Sequence, residues 1–306
     1  MKLRRHPPAT PDAARWQRAQ RAGRRWAAWG VLLGTLIGVV SNAPAQWLAD
    51  ALQQASDQHL LLAETRGSLW DGSAALVLTG GPGSRDAAVL PGRLAWRLRP
   101  SWQGLQLTAE QSCCLTQPLR LRLLPGWTGY TLVLGESSTT ASTTASTTAS
   151  TTASKAAETT AGTAVIGHWP AAWLAGLGTP WNTLQLGGLL QLSSPGLQLH
   201  AVQGQWSLRG ALAVELLNAS SRLSPLPALG SYRLGVQGQA ANGIASTVKL
   251  DTLGGALRLS GDGTWTAKGL RFRGQAVATD ADAPALSNLL NIIGRRQGAL
   301  SVISIG

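Results

Sequence analysis

The chain has 306 residues, room for two modest domains once tails and linkers are set aside. Charged residues make up 13 % of it, half the usual share, beside 13 Trp and 36 Gly; this argues against long charged helices and for strands and turns. The net charge of +12 does not point to nucleic acid, because eight basic residues crowd into positions 1–25 against Asp12 alone, leaving 18 basic and 13 acidic groups beyond.

Residues 1–25 form a basic tail that ends where a membrane can begin. From Trp26 to Ala49 the sequence WAAWGVLLGTLIGVVSNAPAQWLA carries no charge. Its apolar run reaches about 18 residues by Ala43, with Trp26, Trp29 and Trp47 placed for the interfaces. A cleaved signal peptide is the other reading, since SNAPA ends in small residues, but a basic region of 25 residues is long for one. Residues 26–45 are expected to be an uncleaved single-pass transmembrane anchor in the inner membrane. The arginine excess puts the tail in the cytoplasm and the body in the periplasm.

Residues 46–61 follow as a juxtamembrane helix, with Trp47, Leu48, Leu52 and Ala55 at helical spacing. From Leu62 the period changes to 2. In RLAWRLR (93–99) Leu94, Trp96 and Leu98 face one way and Arg93, Arg97 and Arg99 the other. The pattern returns at 104–110, 118–124, 131–134, 183–192, 196–202, 205–210, 231–239, 246–250, 256–261 and 270–277, broken by Gly, Pro or Asn-Gly every 8–14 residues. This predicts a mainly β body: antiparallel, meandering strands forming a curled sheet or a β-sandwich, with two short helices.

Cys113 and Cys114 are adjacent, able to close a vicinal disulfide that clamps local backbone. Residues 136–161 contain four TTAS repeats and nothing large to bury, so they read as a linker between a first β region, 62–135, and a second, 162–306. The linker either separates two domains or is a loop inserted in one continuous sheet. HWPAAWLAGLGTPWNTL (168–184) reads as one short helix from Pro170 to Gly178. APALSNLLNIIG (283–294) reads as a second, with a Leu286, Leu289, Leu290, Ile293 stripe and Gly294 at C′, before a last strand at 299–305. The GDG at 261–263 is expected to be a hairpin turn.

These pieces come in an informative order. A basic tail and anchor are followed by GSLWDGSA (67–74), with Gly67, Ser68, Trp70, Gly72 and Ala74, then WRLRP from Trp96, LGSYRL (229–234), and GGALRLSGDGTW with Gly254, Gly255, Leu257 and Gly261. After the tail, nearly the whole chain resembles the type II secretion system protein N family (GspN). The resemblance implies a non-enzymatic inner-membrane accessory component that assists export of folded periplasmic proteins across the outer membrane. It implies inner- or outer-membrane secretion components as partners, no cofactor, and a strand architecture akin to AsmA-like proteins that handle lipid.

Catalytic chemistry finds little footing. Ser68, His200 and Asp71 make a triad only on paper, since Ser68 lacks the Gly two residues on that a nucleophile elbow needs. No two of His59, His168 and His200 have metal-ligand spacing. The many tryptophans invite a polysaccharide-binding reading, but Trp96, Trp206 and Trp265 alternate with strand residues as core positions do, and Trp70 is expected to be largely buried. Trp169, Trp173 and Trp181 serve either as a cap over the sheet end or as a partner surface.

Overall fold

A computed structural model describes residues 27–127, 129–135, 164–202, 205–238, 245–266 and 269–306. The basic tail and the Ser/Thr/Ala linker lie outside these residues. The chain divides into two units, Met1–Pro44 and Ala45–Gly306. In the first, α1 spans residues 27–41 and every residue from 27 to 42 is exposed. The expected anchor begins at Trp26, outside the described residues, and among those described no helix is long and apolar enough to cross a membrane.

The second unit opens with α2 (Gln46–Ala55), shorter than the predicted 46–61 helix. Asp57 and Gln58 adopt positive φ, which turns the chain into β1 (Leu60–Gly67). β2 (Asp71–Thr79), β3 (Ala87–Val89), β4 (Leu94–Ser101), β5 (Gly104–Gln111), β6 (Leu119–Pro125) and β7 (Gly129–Leu134) follow as hairpins. Beyond the linker come β8 (Ala164–Pro170), β9 (Leu186–Val202), β10 (Gln205–Ser221), β11 (Gly230–Gly238), β12 (Ala245–Gly254), β13 (Leu257–Thr266) and β14 (Gly269–Ala278). Helix α4 (Ala283–Ile293) precedes β15 (Arg295–Gln297) and β16 (Leu300–Ile305).

Among the described residues all sixteen strands belong to one open antiparallel sheet, not to the two packed sheets of a β-sandwich. The order is β1-β2-β4-β5-β6-β7-β9-β10-β11-β12-β13-β14-β16-β15, with β3 beside β2 and β8 beside β9. β7, before the linker, and β9, the second strand after it, pair directly, from Gly129↔Val202 to Val133↔Gln198. The two β regions therefore share one hydrogen-bonded ladder.

The helix expected over 168–184 is two pieces. Residues 168–170 stay in β8, a 3-10 helix covers Ala171–Leu177, Gly178 leaves it at φ 77, and α3 (Trp181–Leu184) follows Pro180. A left-handed glycine and a proline without an N–H stop one helix from running through. The short helices are thus more than the two predicted. Helix α4 matches its prediction, with Leu286, Leu289 and Leu290 buried. Gly294, however, is extended (φ −167) and no left-handed C′ residue; a side chain there would meet the Val302 carbonyl at 2.4 Å.

The GDG at 261–263 is a further correction: it lies inside β13, with partners on both sides. Asp262 stands between Lys249 and Arg273 across the ladder, a favourable cross-strand arrangement. Of the flanking glycines, Gly261 makes room for the ring of Phe272 and Gly263 for the backbone of Arg271.

Candidate functional site

Strand alternation divides the second unit into an apolar and a polar face. On the apolar face one row runs Leu98, Leu107, Leu121, Leu134, and the next runs Pro100, Leu105, Leu123, Leu132, Leu199, Leu208. Cover is local. At the first strands, Ala45 packs with Ala74 and Trp96, with Leu48 from α2 and Leu62 and Leu107 around them. At the last, α4 buries Leu286, Leu289 and Leu290 against Leu257, Ala276 and Ala278. Between these clusters the leucines of β5, β6, β7 and their neighbours on β9 and β10 are only half-buried. Apolar surface left in contact with water costs about 25 cal/mol per Å², so a row of leucines that stays partly exposed between the packed clusters is the feature of this fold that asks for an occupant.

The 3-10 helix lies across strands five steps apart in the sheet order, touching β2 and β3 as well as β9. Trp173 Nε1 donates to the Ala88 carbonyl at 3.0 Å and Asn182 Nδ2 to Asp86 Oδ2 at 3.0 Å. Leu184 then joins the α4 cluster. Trp173 therefore acts as a clamp that caps one end of the face.

The GSLWDG corner is a structural joint. Gly67 pairs with Gly72 at the end of the β1–β2 hairpin, and Ser68 Oγ accepts the Asp71 N–H at 3.1 Å. Gly67 has φ 88, and a side chain there would strike the Asp71 carbonyl at 2.5 Å. Gly72 lies under the indole of Trp96, whose Nε1 donates to Leu69 O at 3.2 Å. Trp96 is 4 % exposed and Ala74 fully buried. Trp70 is half-buried, not largely buried as expected: its carbonyl accepts the Leu98 N–H at 2.7 Å, and its neighbour Trp96 takes the interior place.

The second motif is also packing. Gly255 has φ 128, and a side chain on it would meet Gly230 Cα at 2.2 Å; beside Gly254 there is open space. Leu257 is buried, and its carbonyl accepts the hydroxyl of Tyr232 at 3.0 Å. Burial raises the Tyr232 pKa far above the ordinary range. Gly261 and Gly274 form a floor for Phe272, the chain's single phenylalanine: a side chain on Gly261 would stand 2.6 Å from Phe272 Cζ. Trp265 corrects the core expectation, being 55 % exposed beside Leu270 at the β13–β14 hairpin. The side chain of Trp206 lies outside the described residues.

Cys113 and Cys114 are joined in a disulfide. Their loop docks on β8: the Cys114 carbonyl accepts the His168 N–H at 2.7 Å, and Thr116 Oγ1 donates to Val165 O at 2.7 Å. The loop thus links chain before the linker to chain after it.

The paper triad is not assembled. Ser68 and Asp71 share a turn, whereas His200 sits on β9, five strand positions from β2, with Nδ1 3.0 Å from Thr131 Oγ1. Desolvation, then the nearby Arg209 charge, lowers the His200 pKa below its usual 6.5. Among the described residues no three His, Cys, Asp or Glu side chains converge as metal ligands.

The polar face carries a band of charge. Arg233 pairs with Glu215 at 2.6 Å, Lys249 with Asp251 at 3.0 Å and Arg97 with Asp71 at 3.2 Å. Trp102 at the β4–β5 tip and Trp127 at the β6–β7 tip are fully exposed, and neither was expected as a surface feature. The signal available was a Trp inside a short Gly-flanked break, as in SWQG and GWTG.

The family model described as type II secretion system (T2SS), protein N matches residues 58–302, spanning both motifs and the sheet from β1 through β15 into β16. No curated protein and no solved structure matches the chain.

Proposed function

The chain belongs to the type II secretion system protein N family, and on that premise we propose that it is a non-enzymatic, single-pass inner-membrane component whose periplasmic sheet assists export of folded proteins across the outer membrane. Family membership implies that it works with other components of the secretion apparatus. The observation that carries the reading is the match across 58–302. Support for the anchor comes from the charge-free stretch behind eight basic residues and from the exposure of every residue from 27 to 42. The motif residues Gly67, Gly72, Trp96, Gly255 and Leu257 serve as packing joints, which fits a scaffold.

The test is photo-crosslinking of the full chain in intact cells, followed by membrane extraction. Secretion components in the adducts support the reading, and their absence from probes across the whole polar face opposes it.

A second reading has its own observation. The half-buried leucine rows from Leu98 to Leu208 favour a module that shelters an acyl chain, as the AsmA-like resemblance implies. Lipid recovered with the detergent-extracted chain, and lost when Leu121 and Leu132 are changed to Gln, supports it. Recovery of the same lipid from that variant opposes it.

A further inference from the structure

The end of the sheet at which the chain arrives carries side chains that folding does not explain. The Ala45 N–H donates to the Gly67 carbonyl at 3.3 Å, tying the first residue of the body to the β1–β2 corner. The connection to residues 27–41 therefore leaves from this corner. Strands β4 to β7 alternate in direction along an unbroken ladder, so the β4–β5 tip at Ser101–Gly104 and the β6–β7 tip that carries Gly126 and Trp127 turn at the same end. At about 4.8 Å per strand, both tips fall within roughly 25 Å of the corner.

Trp102 and Trp127 occupy these tips and are fully exposed; Trp47, in the first turn of α2, is 49 % exposed. A tip needs Gly, Asn or Asp for its backbone, not a large ring. An indole offers 150–250 Å² of apolar area with one N–H that still wants a polar partner, a combination suited to a membrane interface.

Beside the tips, on the polar face, one cross-strand row runs Arg99, Gln106, Arg122, Val133, Gln198, Arg209. The row contains no carboxylate, and among the described residues Arg99, Arg122 and Arg209 make no salt bridge. A shallow depression lined by Trp102, Gln106, Arg122 and Leu124 lies at its start. Guanidinium groups beside interfacial rings match the phosphates of an anionic bilayer surface.

We propose that this end of the sheet rests on the bilayer, with Trp47, Trp102 and Trp127 at headgroup depth and Arg99, Arg122 and Arg209 on anionic lipid phosphates. The inference rests on the anchored reading above and adds an orientation. The leucine rows then open beside the membrane, and the end capped by Trp173 and α4 points away from it.

The test uses the full chain reconstituted in phosphatidylethanolamine/phosphatidylglycerol vesicles whose acyl chains carry bromine, a short-range quencher of Trp fluorescence. The wild type is compared with W102F, W127F and the double variant, all with unchanged far-ultraviolet circular dichroism because both rings are exposed. The expected result is a loss of quenchable intensity with each substitution, largest in the double variant and smaller when phosphatidylglycerol is left out. Equal quenched intensity in wild type and double variant overturns the orientation, while quenching that remains from Trp26, Trp29 and Trp47 keeps the anchor. No quenching in the wild type overturns the anchored reading and this inference together. Shielding of Trp102 and Trp127 only when another secretion protein is added assigns the end to a protein partner and overturns the bilayer contact.

Discussion

The indole of Trp96 rests on the bare backbone of Gly72, so closely that a side-chain carbon on Gly72 would lie 2.6 Å from Cζ2. The Ser68 and Arg66 carbonyls would be 2.8 and 2.9 Å from the same carbon, so neither the ring nor the hairpin can yield alone. Gly72→Ala is therefore expected to cost about 1–3 kcal/mol, as overpacking does. Urea unfolding followed by Trp fluorescence checks it; a midpoint equal to wild type would show that the corner is not tightly packed.

The paired glycines of the late motif separate in the same way. Gly255→Ala places a side chain at φ 128 and against Gly230 Cα, whereas Gly254→Ala meets nothing within 4 Å. The first is expected to abolish accumulation of the folded chain. The second should stay within about 0.5 kcal/mol of wild type, as exposed surface changes do. Protease resistance of the two variants in membranes tells them apart.

The same contrast shows what was legible in the sequence. Period-2 alternation located the long strands but not β3, β8 or β15, because one face is leucine and the other Arg, Gln and Thr along most of the sheet. Leu286, Leu289, Leu290 and Ile293 likewise announced α4. Glycine was harder to read: Gly261 and Gly263 look like a turn locally, yet they are strand positions, Gly261 kept bare for the Phe272 ring and Gly263 for the backbone of Arg271 and Phe272, about ten residues further on. Trp96 and Trp265 share an alternating pattern, but only Trp96 has a helix above it, and no local pattern carries that information. The single-sheet pairing of β7 with β9 across the linker is similarly a long-range fact.

His200 makes stability sensitive to mild acid. Its pKa is lowered in the folded protein by desolvation and then by Arg209, so the unfolded chain takes up a proton near pH 6.5 while the folded chain resists. Its contribution is intact above pH 6.5 and is lost as pH falls from there toward the lowered folded value. His200→Gln should flatten that part of the stability–pH curve. Thermal unfolding of both proteins between pH 7 and pH 5 measures it, and parallel curves would remove His200 as the cause.

The most direct test of the central claim is the location of an exported protein in cells lacking this chain. Folded cargo of the type II system is expected to accumulate in the periplasm, with export restored by the wild-type gene and not by Gly255→Ala. Equal amounts of cargo in the medium with and without the chain would contradict it.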